Sequence, residues 1–232
     1  MKETVEITKK MTLAQKINIL RASVMGANDG ILSVAAIVIG VAGATTNNFA
    51  IFIAGIAGMI AGTVSMAMGE YVSVNAQKDA QEAAIANEQN ALEKDYQQEF
   101  DYIIKQFSEQ GISANLANKA ASEMLADNPL KVLVRERYGF ELGEYTSPYA
   151  AAVSSMISFP LGSILPLLAI TLVPENFKIR ATIIAVTIAL IITGYSAAKL
   201  GDASIKKGIL RNVISGLLTM IVTYFIGTLF AR

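Results

Sequence analysis

The stretch ASVMGANDGILSVAAIVIGVAGA, residues 22–44, carries a single charge, Asp29. A helix rises 1.5 Å per residue and a bilayer's hydrocarbon core is about 30 Å thick, so about 20 apolar residues cross it. This stretch is long enough and apolar enough to do so. Asp29 is costly if lipid surrounds the helix and unremarkable if the helix lies in a water-soluble core.

The rest of the chain decides between those solvents. Of its 232 residues, 53% are hydrophobic and 16% charged, against about 25% charged in an ordinary soluble domain. Mean hydropathy is +0.46. The few charges are unevenly spread. Residues 22–74 hold only Asp29 and Glu70, and residues 145–198 only Glu175, Lys178 and Arg180. Four more segments have the length of a span: about Phe49–Val74, Tyr149–Leu172, Phe177–Ala198 and Gly208–Phe230. The chain therefore reads as an all-α integral membrane protein of five transmembrane helices, with an insertion between the second and third. Three regions follow: 1–74, 75–148 and 149–232. The N-terminal tail is polar, without the apolar core of a secretory signal.

Lysine and arginine bias sets the orientation. The tail holds Lys2, Lys9, Lys10, Lys16 and Arg21, the insertion holds seven bases, and the loop between spans four and five holds Lys199, Lys206, Lys207 and Arg211. With the N-terminus inside, these make sixteen of the 19 bases cytoplasmic. The expected topology has the tail and residues 75–148 in the cytosol and the C-terminus on the opposite side. A compact chain without a targeting extension fits a prokaryotic plasma membrane.

The chain has no cysteine and no histidine. Disulfides, thiolate sites and imidazole sites are excluded. A metal ion would be held by carboxylates, amides, hydroxyls, carbonyls or thioethers, and proton chemistry would fall to Asp and Glu. Along the first span Met25, Asp29 and Ser33 recur at i, i+4, i+8 and share a face. Along the second, Met66, Glu70 and Ser73 recur at i, i+4, i+7 and likewise share a face. The short turn TTNN (45–48) suggests antiparallel neighbours, with Asp29 and Glu70 at similar depth. A carboxylate beside a thioether suits a borderline divalent transition metal better than Ca²⁺ or Mg²⁺. Paired carboxylates that titrate together suit metal–proton exchange. The plainer alternative has Asp29 capping a kink at Gly26/Gly30, the methionines facing lipid and Glu70 reaching to the interface. Gly58 and Gly62 form a GxxxG pair that permits close helix packing. Pro160 and Pro166 predict a kinked or broken third span.

The insertion holds thirteen acids and seven bases between 78 and 144. Its first stretch lacks Pro and Gly and is predicted to prolong the second span's helix to Gly111. Two further helices follow, one capped by Ser113 and stopped at Asp127–Pro129, the other ending at Gly139, giving a three-helix module. On a continuous helix Glu88, Asp95 and Glu99 fall within about 40° of each other. Glu123 and Met124 could meet this stripe. It reads either as a carboxylate metal site or as a solvated helix face.

The segments GANDGILS (26–33), AGTVSMAMGEYVSVNAQKD (61–79), EQGIS (109–113), ASEM (121–124), VRERYGFEL (134–142) and SFPLGSILPLL (158–168) together resemble the vacuolar iron transporter family. The resemblance covers nearly the whole chain. It implies a homodimer of five-helix subunits that carries Fe²⁺, and often Mn²⁺, out of the cytosol in exchange for protons, with no permanently bound cofactor, no enzymatic activity and no nucleic-acid partner. It implies an ion path between the two subunits' first helices, with Asp29, Met66 and Glu70 at matching positions and Met25 one turn from Asp29. It further implies cytoplasmic metal binding through Glu and Met, with Glu88 and Glu99 matching and Glu82, Glu123, Met124 and Glu136 as further candidates. The chain departs from the family pattern at Ala91 and Tyr102, where acids are common, at Leu133 and Val134, where some members carry a Met-Met pair, and at Arg137, beside Glu136. A competing reading makes the chain a membrane-anchored metal-binding or sensing protein, its spans serving only as anchor.

Overall fold

The computed structural model describes residues 13–231. Lys2, Lys9 and Lys10, three of the charges behind the expected orientation, lie outside them. In chain order the helices are α1 (Leu13–Ala44), α2 (Asn48–Lys94), α3 (Tyr96–Glu109), α4 (Ala114–Leu125), α5 (Pro129–Tyr138), α6 (Pro148–Leu172), α7 (Lys178–Leu200) and α8 (Ile205–Leu229). α1, α2, α6, α7 and α8 are long and apolar enough to cross a membrane. They leave large apolar side chains exposed, among them Ile60, Val64, Leu161, Ile188 and Leu218. Lipid is the solvent that makes such a surface stable. The chain is an integral membrane protein, and it forms two compact units: Val74–Thr146, and the residues on either side of it.

In the membrane unit α1 is central. Its Ile31, Val34, Ala35, Val38 and Ile39 join Phe159, Leu167 and Ile170 of α6, Val186, Ala189 and Leu190 of α7 and Met220 of α8 in one buried cluster. The closest partner of α1 is α6; α2, the neighbour the short turn suggested, meets α1 through side chains. Gly30 lies against the backbone carbonyl of Phe159, and Gly162 against that of Ala27. Any side chain at either position would collide with backbone. Serines stitch the seam: Ser163 Oγ donates to the Gly30 carbonyl at 3.2 Å, and Ser155 Oγ to that of Ala22 at 3.4 Å. Gly26 faces Ser155 and Ser158 in the same seam. α6 runs as one helix through Pro160 and Pro166. Gly30→Ala is expected to lower stability by about 1–3 kcal/mol, the usual cost of overpacking, read as a lower melting temperature in detergent. An unchanged melting temperature would contradict the seam.

α2 keeps its backbone farther from its neighbours. Its glycines are filled by side chains: Gly55 by Val38 and Leu167, Gly58 by Ile37, Gly62 by the Phe159 ring. Gly58–Gly62 is thus a receptacle for side chains and not a backbone contact. Near Glu70, Tyr71 meets Tyr149 edge-on, their centroids 5.3 Å apart.

The inserted unit packs Ile103 and Phe107 of α3 against Ala117, Ala121 and Leu125 of α4 and Leu133 of α5. The helix expected to run unbroken to Gly111 is divided at Asp95. Asp95 leaves the helical conformation (φ −155°), and its carboxylate accepts from the Gln98 amide at 3.1 Å. It is the N-cap of α3, satisfying one of that helix's free amides. Ser113 opens α4 without a side-chain capping bond. Asn128 caps α5 and Pro129 enters its first turn, while Gly139, at φ +73°, closes it in the left-handed conformation glycine adopts freely.

Candidate functional site

One groove of about 590 Å³ runs along α1 and α2, lined by Met25, Asp29 and Ser33 from one helix and Met66, Glu70 and Ser73 from the other. Phe159 of α6 closes its wall. The i, i+4 spacing on each helix presents these polar groups to one space, as anticipated. Ser33 Oγ donates to Asp29 Oδ1 at 2.8 Å, which orients the carboxylate and leaves its other oxygen free of that bond. Ser73 Oγ donates to the Glu70 main-chain carbonyl at 3.1 Å, so it steadies the helix and not the carboxylate.

Glu70 is buried, and its charge is met by Arg21, whose Nη2 lies 3.2 Å from Glu70 Oε2. The same guanidinium approaches the Met25 sulfur at 3.3 Å and is held from behind by Asn18 Oδ1 at 2.9 and 3.2 Å. Sequence reading counted Arg21 only as a charge of the tail. Its position one turn before Met25 was the available signal. On the opposite side of α1, Asn28 Oδ1 accepts from Thr193 of α7 at 3.3 Å and from Asn212 of α8 at 3.1 Å. The adjacent residues Asn28 and Asp29 thus face different surroundings, one tying the bundle together and one opening to the groove.

In the inserted unit Glu88 and Glu99 do converge, but on a cation already present. Arg137 Nη1 donates to both Glu88 oxygens at 2.9 and 2.7 Å, and Nη2 to Glu99 Oε2 at 2.5 Å. Its guanidinium carbon stands 4.0 Å from the centre of the Tyr102 ring. Burial raises the Glu88 pKa; Arg137 pulls it down, and the neighbouring Glu99 adds to the rise. For Arg137 burial acts to lower the pKa, but the carboxylates outweigh it and the guanidinium is held still more firmly protonated. Asp95, the third member of the expected stripe, is occupied as a helix cap. Glu82 pairs with Lys78 at 3.5 Å and Glu136 with Arg135 at 2.8 Å. Glu123 is exposed on α4, and Met124 packs on the unit's core. Among the described residues no three acidic side chains gather into a group able to hold a metal.

Residues 20–228 match the model of the VIT family. The chain is 34% identical over 212 residues to vacuolar iron transporter homolog 1 of Oryza sativa subsp. japonica, covering 91% of this chain and 73% of that protein. It is 32% identical over 211 residues to a vacuolar iron transporter of Acanthamoeba castellanii, covering 90% and 78%. With vacuolar iron transporter homolog 3 of Arabidopsis thaliana it shares 32% identity over 218 residues, covering 93% and 85%. The match spans the central helix, the groove and the inserted unit alike, and it places the chain in the VIT family as a membrane transport protein and not an enzyme.

Proposed function

We propose that the protein carries Fe²⁺, and also Mn²⁺, out of the cytosol in exchange for protons, with the groove between α1 and α2 as the ion path. The observation that carries this reading is the meeting of two carboxylates, Asp29 and Glu70, and two thioethers, Met25 and Met66, in one groove of a membrane unit. An anchor needs none of them. Hard oxygen and soft sulfur together favour a borderline divalent metal. At an effective dielectric near 20, a divalent ion 4 Å from one carboxylate gains about 8 kcal/mol, twice the single-charge value. That is enough to offset part of its lost hydration. Protons compete for the same carboxylates, so metal release and proton uptake are linked.

Among the described residues, one chain supplies two acids to the groove. We propose a homodimer in which a second copy brings its own α1 alongside and doubles the ligand set, with the tail and the inserted unit on the cytoplasmic side. The anchored metal-binding alternative draws no support from the inserted unit, where Arg137 already bridges Glu88 and Glu99.

The test is metal entry into proteoliposomes of purified protein loaded with a metal-quenched dye. Fe²⁺ and Mn²⁺ are expected to enter, and faster when the lumen is acidic. Flux indifferent to the proton gradient would remove proton exchange, and absence of flux would remove transport. Competition with Zn²⁺ and Co²⁺ ranks the cargo.

A further inference from the structure

Arg21 stands in an unusual place for a cation. The groove described above attracts positive charge, and its most buried carboxylate is already engaged by this guanidinium. Three contacts fix it: Glu70 Oε2 at 3.2 Å across the groove, Met25 Sδ at 3.3 Å on its own helix, and Asn18 Oδ1 behind it. Glu70 and Met25 are the acid and the thioether that an incoming metal would need together. A guanidinium bridging a carboxylate and a thioether matches what a metal ion does with the same two groups.

We infer that Arg21 is the groove's built-in surrogate cation, an occupant that a divalent ion must displace and that re-enters when the ion leaves. The inference rests on the groove being the metal path and adds the residue that sets its threshold. Charge decides the direction of exchange. At equal distance a divalent ion is attracted to Glu70 about twice as strongly as a guanidinium, while a monovalent ion has no such advantage. The arrangement thus selects against Na⁺ and K⁺ without a size filter. In the empty protein it spares Glu70 the cost of a buried unpaired charge. The displaced side chain has somewhere to go. Arg21 lines a second cavity of about 300 Å³, which shares Met25 with the groove and is walled by Ile17, Leu20, Val24 and Leu200. The long aliphatic stem of an arginine can pack there with its head still at Asn18.

The test is Mn²⁺ binding to the purified full chain, followed by loss of the free-ion electron paramagnetic resonance signal. Arg21→Gln is expected to bind Mn²⁺ roughly tenfold tighter than the parent. Arg21→Lys, which keeps the charge but cannot fork between two partners, is expected to fall between them. In a Glu70→Gln background the gain from Arg21→Gln should vanish. A lost structural contact would weaken binding, so tighter binding separates the two roles. Unchanged or weaker binding in Arg21→Gln, in a protein whose parent binds Mn²⁺ and whose Asp29→Asn variant does not, would overturn the surrogate role alone. Should Arg21→Gln fail to fold, unchanged affinity in Arg21→Lys would overturn it. Absence of Mn²⁺ binding in every variant, parent included, would overturn the groove as metal path and this inference with it.

Discussion

Asp29→Asn is expected to abolish metal flux, reducing it at least about 100-fold while leaving the folded protein intact. Losing a group that merely orients a metal ligand costs about 10–100-fold in metal affinity or activity, and Asp29 is proposed as a ligand itself. The substitution is nearly isosteric. Asparagine keeps an oxygen that can accept from Ser33 Oγ, now 2.8 Å from the carboxylate, so α1 has no reason to repack. The negative charge alone is removed, and with it one of the two acids that the described residues bring to the groove. Gel filtration and melting temperature in detergent should match the parent, while dye quenching in proteoliposomes falls to the protein-free rate. Normal flux in this variant would strip Asp29 of its role.

The second large effect belongs to the inserted unit. Arg137→Met is expected to destabilise it by about 3–5 kcal/mol, the usual cost of breaking a buried ion pair by removing one partner. Two carboxylates, one fully buried and one nearly so, would face each other without a cation. The effect depends on pH, in a direction that follows from Glu88. Burial raises its pKa, so its ionised form costs the fold stability as pH rises through the folded value. Arg137 offsets that cost, and without it the folded value climbs further. Amide hydrogen exchange on the whole protein should therefore show α3 and α5 losing protection in Arg137→Met at pH 7.5 and partly regaining it near pH 5. The triple change Glu88→Gln, Glu99→Gln, Arg137→Met should restore much of the protection at both pH values. Unaltered exchange in the single variant would show the triad to be incidental.

Much of this architecture could be read from local pattern. Charge depletion marked all five spans, because lipid tolerates few ions anywhere along a helix. The i, i+4 rule put Met25, Asp29 and Ser33 on one face, and the hydrogen bond from Ser33 to Asp29 is the physical form of that spacing. The break at Asp95 was legible too: an aspartate with Gln98 three residues on is a helix-start signature even where no glycine or proline interrupts. What stayed hidden was non-local. The closest partner of α1 is α6, more than a hundred residues away, and the tight turn after α1 pointed only to its looser neighbour, α2. Gly26 and Gly30 could be read as a kink in α1, and only the serines and carbonyls of α6 show them to be a helix contact. Glu88 and Arg137 are 49 positions apart, a separation at which acidic spacing cannot reveal whether a metal or a guanidinium closes the pair. Arg21 was visible as a charge, but its reach across the groove depends on where α2 stands.

The unequal anchoring of the two groove walls has a mechanical consequence. α1 is clamped to α6 backbone against backbone, with hydroxyls bridging the joint, whereas α2 rests on its neighbours through the tips of Ile37, Val38, Leu167 and Phe159. Shifting α1 would tear a joint in which no atom can yield, and shifting α2 asks only a few side chains to change rotamer. The groove is a vice with one fixed jaw. On the ion path proposed above, Asp29 sits on the fixed jaw and Glu70 on the sliding one, so grip on an ion would be set by the travel of a single helix, and stiffening α2 is expected to stall turnover with every proposed ligand still in place.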